Sequence, residues 1–498
     1  MEDSESSKTT QELRMSRIVD RIDQSVDRNV EGTNLVPMSS AELDDDGRPK
    51  RTGTFWTASA HAITACIGSG VLSLAWGVAQ LGWIAGPLVN VSFAVITYFT
   101  SVLLVDSYRY MNPVSGRRLY TYMDTVKSYL GRKDTFVCGL VQYTNLFGIC
   151  IGYTVTASAS MVAIKRAGCF HERGRHAECH VSNNLYMGIF GAAQIFFSQI
   201  PDFAQTWWLS VLAAIMSFSY SGIGLVLSLI KFFDEGQVRG TLYGWPIGNG
   251  QDEYSRAQKV WKTLSAVGDI AFAYSFIIVL LNIQDTLKSP PPENKTMKKV
   301  ALASNLTCSI FYLSVGCVGY AAFGNHAPGN LLTGFGFYEP YWLIDFANAC
   351  IVVHLVGAYQ IFAQPLFSFL EGLVLKRWPK KTFLNNTRSV SIRVVGRIRL
   401  NIFHLVWRTI FVLVTTLLAL LLPFFNSIMG LLGALAFFPL SVYFPIRIYM
   451  KRTNLRHYKC EWWFLCTLMV ICLLVSIGAA IGSVAEILQD TRHYKPFN

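Results

Sequence analysis

Gly68-Ser69-Gly70 lies inside the apolar stretch "ACIGSGVLSLAW" (65–76). Two glycines around a serine weaken a helix and leave backbone groups without internal partners, which is costly in a membrane. Two uses fit this spacing. One is close packing between helices, where Gly and Ser are common. The other is ligand binding. Unwinding at Gly68 and Gly70 would free the amides of Ser69, Gly70 and Val71 to open a second half-helix, whose positive end attracts a carboxylate.

A second stretch has a matching irregularity. In "LSAVGDIAFAYSFIIVLLNIQ" (264–284), Gly268-Asp269 is polar at an apolar place, and Ala271, Ala273 and Ser275 are small. A carboxylate within a membrane helix is costly and points to function; a wet vestibule near a helix end is the other place for it. His61 and His354 fall within apolar segments. Histidine titrates near neutrality, so the pair suits a proton-driven step, although a lone His in an apolar helix is also found as a satisfied polar residue. Asn145, in "QYTNLFGICIGYTV" (142–155), is placed either to reach the same cavity or to pack. Glu371 and Glu486 end their segments and read as interfacial. No phosphate-binding GxxxxGK[ST] loop, HExxH or close CxxC pair is present. No enzyme site, metal or cofactor is therefore expected, and the glycines of "GTLYGWPIGNG" (240–250) read as an outside loop.

The elements that must hold these residues are membrane helices. The 498-residue chain is 52% hydrophobic and only 15% charged, against roughly 25% charged in soluble domains. Its net charge of +12 falls between apolar runs and forms no continuous basic face, which argues against nucleic-acid binding. A spanning helix needs about 20 mostly apolar residues. About eleven such segments lie near 55–80, 83–108, 134–164, 185–200 (short), 205–230, 263–287, 298–322, 341–369, 401–422, 425–449 and 461–486.

Loop charges orient them. Arg109, Arg117, Arg118, Lys127, Arg132 and Lys133 follow the second segment; Lys288, Lys295, Lys298 and Lys299 follow the sixth. Lys376, Arg377, Lys380, Lys381, Arg388, Arg393, Arg397 and Arg399 follow the eighth, and Arg447, Lys451, Arg452, Arg456 and Lys459 the tenth. These loops are expected in the cytoplasm, with the N-terminus inside and the C-terminus outside. Lys165, Arg166, Arg173 and Arg175, after the third segment, run against the trend, but acidic and His residues dilute them. Cys169 and Cys179 flank that loop, "CFHERGRHAEC". On an oxidising side they are a candidate bridge, with two free thiols as the alternative. Most of the eleven cysteines, Cys138, Cys150, Cys308, Cys317 and Cys350 among them, sit in apolar runs and behave as small hydrophobes.

Residues 1–50 are polar, carry no cleavable signal and read as a mobile cytoplasmic tail ahead of a transmembrane domain over 51–498. Asn294 and Asn385 match the glycosylation pattern in loops placed inside, where it would be unused. No short repeat is visible, yet the order permits five segments (about 51–231), five more of opposite orientation (about 262–450) and one extra (about 461–486).

"RTGTFWTASAHAITACIGSGVLSLAWGVAQLGWIAGP" (51–87) resembles the signature opening of plant amino acid permeases, in the amino acid/auxin permease superfamily. "AVGDIAFAYSF" (266–276), "GYAAFGNHAPGNLLTGFGFYEPYWLIDFAN" (319–348) and "FFPLSVYFPIRIYM" (437–450) resemble it too, and the likeness runs from about residue 41 to the C-terminus. It implies an all-α polytopic protein with the inverted-repeat (5+5) amino acid–polyamine–cation transporter fold. It implies proton-coupled amino acid import across the plasma membrane by alternating access, with the proton as coupling ion. The substrate α-carboxylate maps onto the Ser69 and Gly70 amides, in the run Cys66, Ile67, Gly68, Ser69, Gly70 and Val71. The α-amino group maps onto carbonyls near Cys66, Ala271 and Phe272, with Ser275. Ala273 stands where some sodium-coupled relatives have threonine, which weakens a sodium site. His61 and His354 match histidines of the plant pattern, while Ala62, Cys66, Gly77 and Ile84 depart from it conservatively. Neutral and acidic amino acids are the expected substrates. Transport of auxin or another amino-acid-like weak acid, or a non-transporting amino acid receptor, are the other readings. A channel would need a continuous polar stripe, and only isolated polar sites occur.

Overall fold

The computed structural model describes residues 44–46, 50–174, 179, 181–200, 207–248, 253–335, 341–378, 387–392, 396–457 and 459–493. Most of the polar N-terminal tail, and Arg175, Lys380, Lys381, Asn385 and Arg393, lie outside the described residues. By its internal contacts the chain divides at Thr52/Gly53, and the helical body begins at Gly53.

Helix α1 (Phe55–Cys66) starts where Thr54 and Thr57 cap each other's amides. A 3-10 turn (Ser69–Ser73) leads into α2 (Leu74–Val105). The short α3 (Tyr122–Leu130) is followed by α4 (Arg132–Arg173), α5 (Asn183–Ser198) and α6 (Trp207–Glu235). The pair α7 (Arg256–Ala273) and α8 (Ile277–Gln284) precedes α9 (Glu293–Phe323) and α10 (Tyr341–Arg377). Then come α11 (Ile402–Leu421) and α12 (Phe425–Ala436), which runs through a π turn (Phe437–Tyr443) into α13 (Phe444–Arg452); α14 (Cys460–His493) ends the fold.

Nine helices among the described residues are long and apolar enough to cross a membrane, where the sequence marks eleven segments. The difference has two local causes. Helix α2 runs on through Gly82 with φ of 84° and ψ of 178°, which joins the first two segments. Helix α5 has only 16 residues. At Gly82 the chain turns sharply, in a backbone conformation that glycine alone adopts cheaply. The backbone of Leu242, Tyr243 and Gly244 fills the place a side chain would take. That loop accepts the amides of Trp83 (on Thr241 O, 3.2 Å) and Ile84 (on Leu242 O, 3.3 Å). These donors would otherwise be orphans at the start of a helix.

The helices pack through small residues. Gly268 of α7 lies against the backbone of Gly430 in α12, and Gly433 lies against the Gly268 carbonyl and Phe272, the close approach that only glycines permit. The loop after α10 contains an antiparallel hairpin, β1 (Thr387–Ile392) with β2 (Gly396–Asn401), in register from Thr387–Asn401 to Ile392–Gly396. The alternation in "TRSVSI" and "GRIRLN" has the two-residue period of strands, so the fold adds a hairpin to its helices. Cys169, near the end of α4, is joined to Cys179, with their Cα atoms 6.1 Å apart. Glu371 and Glu486, which end their segments in the sequence, are enclosed by the protein. Both are buried, Glu371 accepting from Arg408 Nε (2.9 Å) and Glu486 paired with Lys262 (3.5 Å).

Candidate functional site

The first irregularity is itself a break in a helix; the second, Gly268-Asp269, lies inside α7, and a break follows it at residues 274–276. Helix α1 stops at Cys66; a tight turn at Ile67 (ψ 81°) brings the Gly68 amide back to Cys66 O (2.9 Å), Gly68 (φ −123°, ψ −151°) is extended, and the 3-10 turn begins at Ser69. Helix α7 stops at Ala273, and α8 resumes at Ile277. Tyr312, on α9, stands between them. Its hydroxyl is 2.5 Å from Cys66 O and 3.1 Å from Ala273 O. Its single proton is therefore shared between the two carbonyls that end the half-helices. The Ser73 hydroxyl donates to Gly70 O (3.0 Å) and the Ser275 hydroxyl to Ala271 O (2.9 Å), tying down both loops.

A cavity of about 200 Å³ opens between the breaks. Of the residues singled out in the sequence, Cys66, Gly68, Ser69, Gly70, Asn145, Phe272, Ala273 and Ser275 line it. Ile67, Val71 and Ala271 do not; their side chains are in the core. The Val71 amide, expected to face a ligand, turns back to Gly68 O (3.3 Å) because the first turn is 3-10 and not α-helical. The Ala271 carbonyl already accepts from Ser275 Oγ and the Tyr274 amide. The Ser69 and Gly70 amides donate to no backbone carbonyl among the described residues.

Sequence reasoning missed Gln142, Tyr153, Phe276, Asn282 and Phe362, all in the lining. A signal was there. Gln142, Asn145, Leu146, Ile149 and Tyr153 follow the helical period along one face of α4. Asn145 Oδ1 and Gln142 Oε1 are buried with no protein partner among the described residues. Nor does any described Asp, Glu, Lys, Arg or His line the cavity. From the breaks it runs along α8 to Asn282, toward the face that carries the basic loops.

The three titratable candidates are not brought together. Asp269 is fully buried one helical turn before Ala273, and neither carboxylate oxygen has a hydrogen-bond partner among the described residues. Ser73 is its polar neighbour. His354 is buried on α10, with Nδ1 2.9 Å from Ala213 O and its ring edge-on to Tyr220 at 5.8 Å. His61 is exposed on α1. None of the three lines the cavity.

Both ends of the site are fastened. At one end Lys259 Nζ donates to Gln80 O (2.7 Å) and Tyr243 O (2.8 Å). At the other, Gly53 exchanges main-chain hydrogen bonds with the segment after α8: Gly53 N to Thr286 O (2.9 Å) and Lys288 N to Gly53 O (3.0 Å). Around that second end lie the ion pairs Arg109–Glu293 (2.7 Å), Lys298–Asp106 (2.7 Å) and Arg452–Asp106 (3.6 Å).

The chain is similar to known proteins. The family model described as "Transmembrane amino acid transporter protein" matches residues 51–489. Amino acid permease 3 of Arabidopsis thaliana is 54% identical over 458 residues, covering 92% of this chain and 95% of that protein. Amino acid permease 2 of the same plant is 54% identical, covering 91% and 92%. A solved structure of MhsT in complex with L-phenylalanine aligns with a TM-score of 0.50 at 10% identity, over 88% of this chain and 100% of that one. At that identity the likeness shows a shared fold.

Proposed function

The chain belongs to the transmembrane amino acid transporter family, and on that basis we propose that it carries amino acids inward across the plasma membrane together with protons. It is a membrane transporter, not an enzyme. The observation that carries the finer reading is the cavity between two broken helices, which no described charged residue lines, with a carboxylate one turn behind it that has no hydrogen-bond partner among the described residues.

A zwitterionic amino acid needs an anion site and a cation site. Main-chain groups supply the first. The free amides of Ser69 and Gly70 suit the carboxylate. The Cys66 carbonyl already accepts from the Gly68 amide (2.9 Å) and from Tyr312, and Phe272 O accepts from the Ser275 amide (3.1 Å), so the side-chain oxygens of the lining, Ser275 Oγ and Asn145 Oδ1, suit the ammonium group. The absence of charged lining favours neutral side chains. An acidic side chain would rely on the amides of Gln142, Asn145 and Asn282, which also accept from a protonated acid.

Asp269 is the favoured proton carrier of the three candidates. A buried carboxylate with no partner has an uncompensated charge, and a bound proton is the species that compensates it. Its neighbour Ser73 hydrogen-bonds Gly70 O, so protonation is felt at the substrate loop. The loop charges support a cytoplasmic N-terminus and an outside C-terminus.

The test is whole-cell current in oocytes on adding single amino acids, and auxin, at acidic and neutral external pH, with and without sodium. Inward amino acid currents that grow in acid and ignore sodium are expected. Sodium-dependent currents, or currents elicited by auxin alone, would overturn the reading.

A further inference from the structure

A second cavity, of about 880 Å³, opens on the outer surface of the bundle among α3, the first half of α4, the end of α10 and α11. Phe136, Leu140, Phe147, Phe369 and Phe411 make its walls apolar. Lys127, on α3, and Arg132, at the start of α4, line it from one end. Both are exposed, and neither has a carboxylate partner among the described residues. Asp124, three residues before Lys127, is instead engaged by the Thr121 hydroxyl (2.7 Å).

What sets these two cations apart is their place at the mouth of an apolar groove. Arg109, Lys298 and Arg408 are each held by a carboxylate, at 2.7, 2.7 and 2.9 Å. Two cations are left open where an apolar groove begins. From Phe136 to Phe147 the groove follows eleven residues of helix, about 16 Å at 1.5 Å per residue. Half of a hydrocarbon core of about 30 Å is much the same length. Charge at one end and an apolar trough one leaflet deep match a single lipid molecule. A packed helix from another protein would leave the two cations without a counter-charge.

We propose that this groove binds one anionic phospholipid from the leaflet facing the basic loops, its phosphate between Lys127 and Arg132 and an acyl chain along Phe136–Phe147. The site shares its walls with the central cavity. On α4, Gln142, Asn145 and Leu146 face the cavity while Leu140, Tyr143 and Phe147 face the groove. On α10, Phe362 and Pro365 face the cavity while Leu366 and Phe369 face the groove. Tyr143 stacks on Phe369 at 4.1 Å across the seam. A lipid lying there bears on the two helices that form one side of the substrate site.

The experiment uses the full chain in phosphatidylcholine vesicles doped with brominated phosphatidylglycerol or brominated phosphatidylcholine. Trp407 lines the groove, and its fluorescence, taken as the difference between wild type and Trp407→Phe, reports bromine nearby. Two surface cations, each worth about 1 kcal/mol toward an anionic lipid, amount to roughly tenfold to thirtyfold tighter binding. Quenching by the phosphatidylglycerol is therefore expected at about tenfold lower content than by the phosphatidylcholine. Lys127→Gln with Arg132→Gln should abolish that preference, each single change should reduce it, and Lys133→Gln, outside the groove, should keep it. Equal quenching by the two lipids in the wild type, or a preference that survives the double change, would mean ordinary boundary lipid and overturn the proposal. The readout needs no transport, so it stands apart from the proton reading.

Discussion

The hydroxyl of Tyr312 lies 2.5 Å from the carbonyl oxygen of Cys66, the last residue of the first half-helix. The same hydroxyl reaches Ala273 O at 3.1 Å. One side chain from α9 thus registers both broken helices against each other. Tyr312→Phe keeps the ring and removes the proton, taking the cross-link from Ala273 O and leaving Cys66 O only the Gly68 amide (2.9 Å). The expected loss of stability is about 1–3 kcal/mol, seen as a lower unfolding temperature in detergent, with a larger fall in uptake than in folded protein. An unchanged unfolding temperature would mean that water replaces the hydroxyl.

Asp269→Asn is nearly isosteric in a site where neither oxygen has a partner among the described residues. The fold should survive. Amino acid exchange across the membrane should persist, and the increase of inward current with external acidity should vanish. The sign follows from the role: a carrier that cannot take up a proton cannot be driven by one. Currents that still rise in acid would shift the role to His354 or His61.

Asn145→Ala removes a buried amide whose Oδ1 has no protein partner among the described residues. It faces the cavity, so the loss falls on the substrate. One hydrogen bond of about 1–1.5 kcal/mol corresponds to a KM about fivefold to tenfold higher. Val71→Ala, in the core and outside the lining, should change stability and leave KM nearly constant. Radiolabelled uptake curves for the two variants separate these outcomes.

Gly82→Ala puts a methyl group on a residue with φ of 84°, against the backbone of Leu242–Gly244. The strain alone is about 1–3 kcal/mol, and the contact adds to it. A marked drop in the yield of folded protein is expected by fluorescence-detected gel filtration.

Lys262→Ala strips the ammonium from the buried Glu486. Breaking such a pair costs about 3 kcal/mol. Lys262→Ala with Glu486→Gln should recover part of that loss in thermal unfolding. No recovery would show that the pair contributes nothing beyond packing.

The first break is legible in the sequence because a glycine pair contradicts an otherwise apolar, helical run; the second is only approximately marked, since Gly268-Asp269 stays helical and the chain breaks at 274–276, after the small residues Ala271 and Ala273. The lining residues Gln142 and Asn282 are not legible. A polar amide in a membrane helix reads the same whether it packs or faces a cavity, and only the facing helices decide. The role of Val71 depends on whether the first turn is α or 3-10. Sequence does not distinguish these, since the hydrogen bonds differ by a single residue. Glu486 looks interfacial because it ends an apolar run; its partner Lys262 is on α7, more than two hundred residues away, and no local pattern announces it. The hairpin Thr387–Asn401 is hidden beneath its charge, although its alternation is present.

The bonds joining Gly53 to Thr286 and Lys288 are made by main chain alone. They fasten the foot of the first half-helix to the foot of the sixth segment in the manner of a hasp. Side-chain drift at Thr286 or Lys288 leaves such a fastening untouched. Only at Gly53 is it open to mutation, where an added Cβ would strike the Thr286 carbonyl. The start of α1 and the end of α8 are therefore held together by backbone alone, whichever amino acids later change around them.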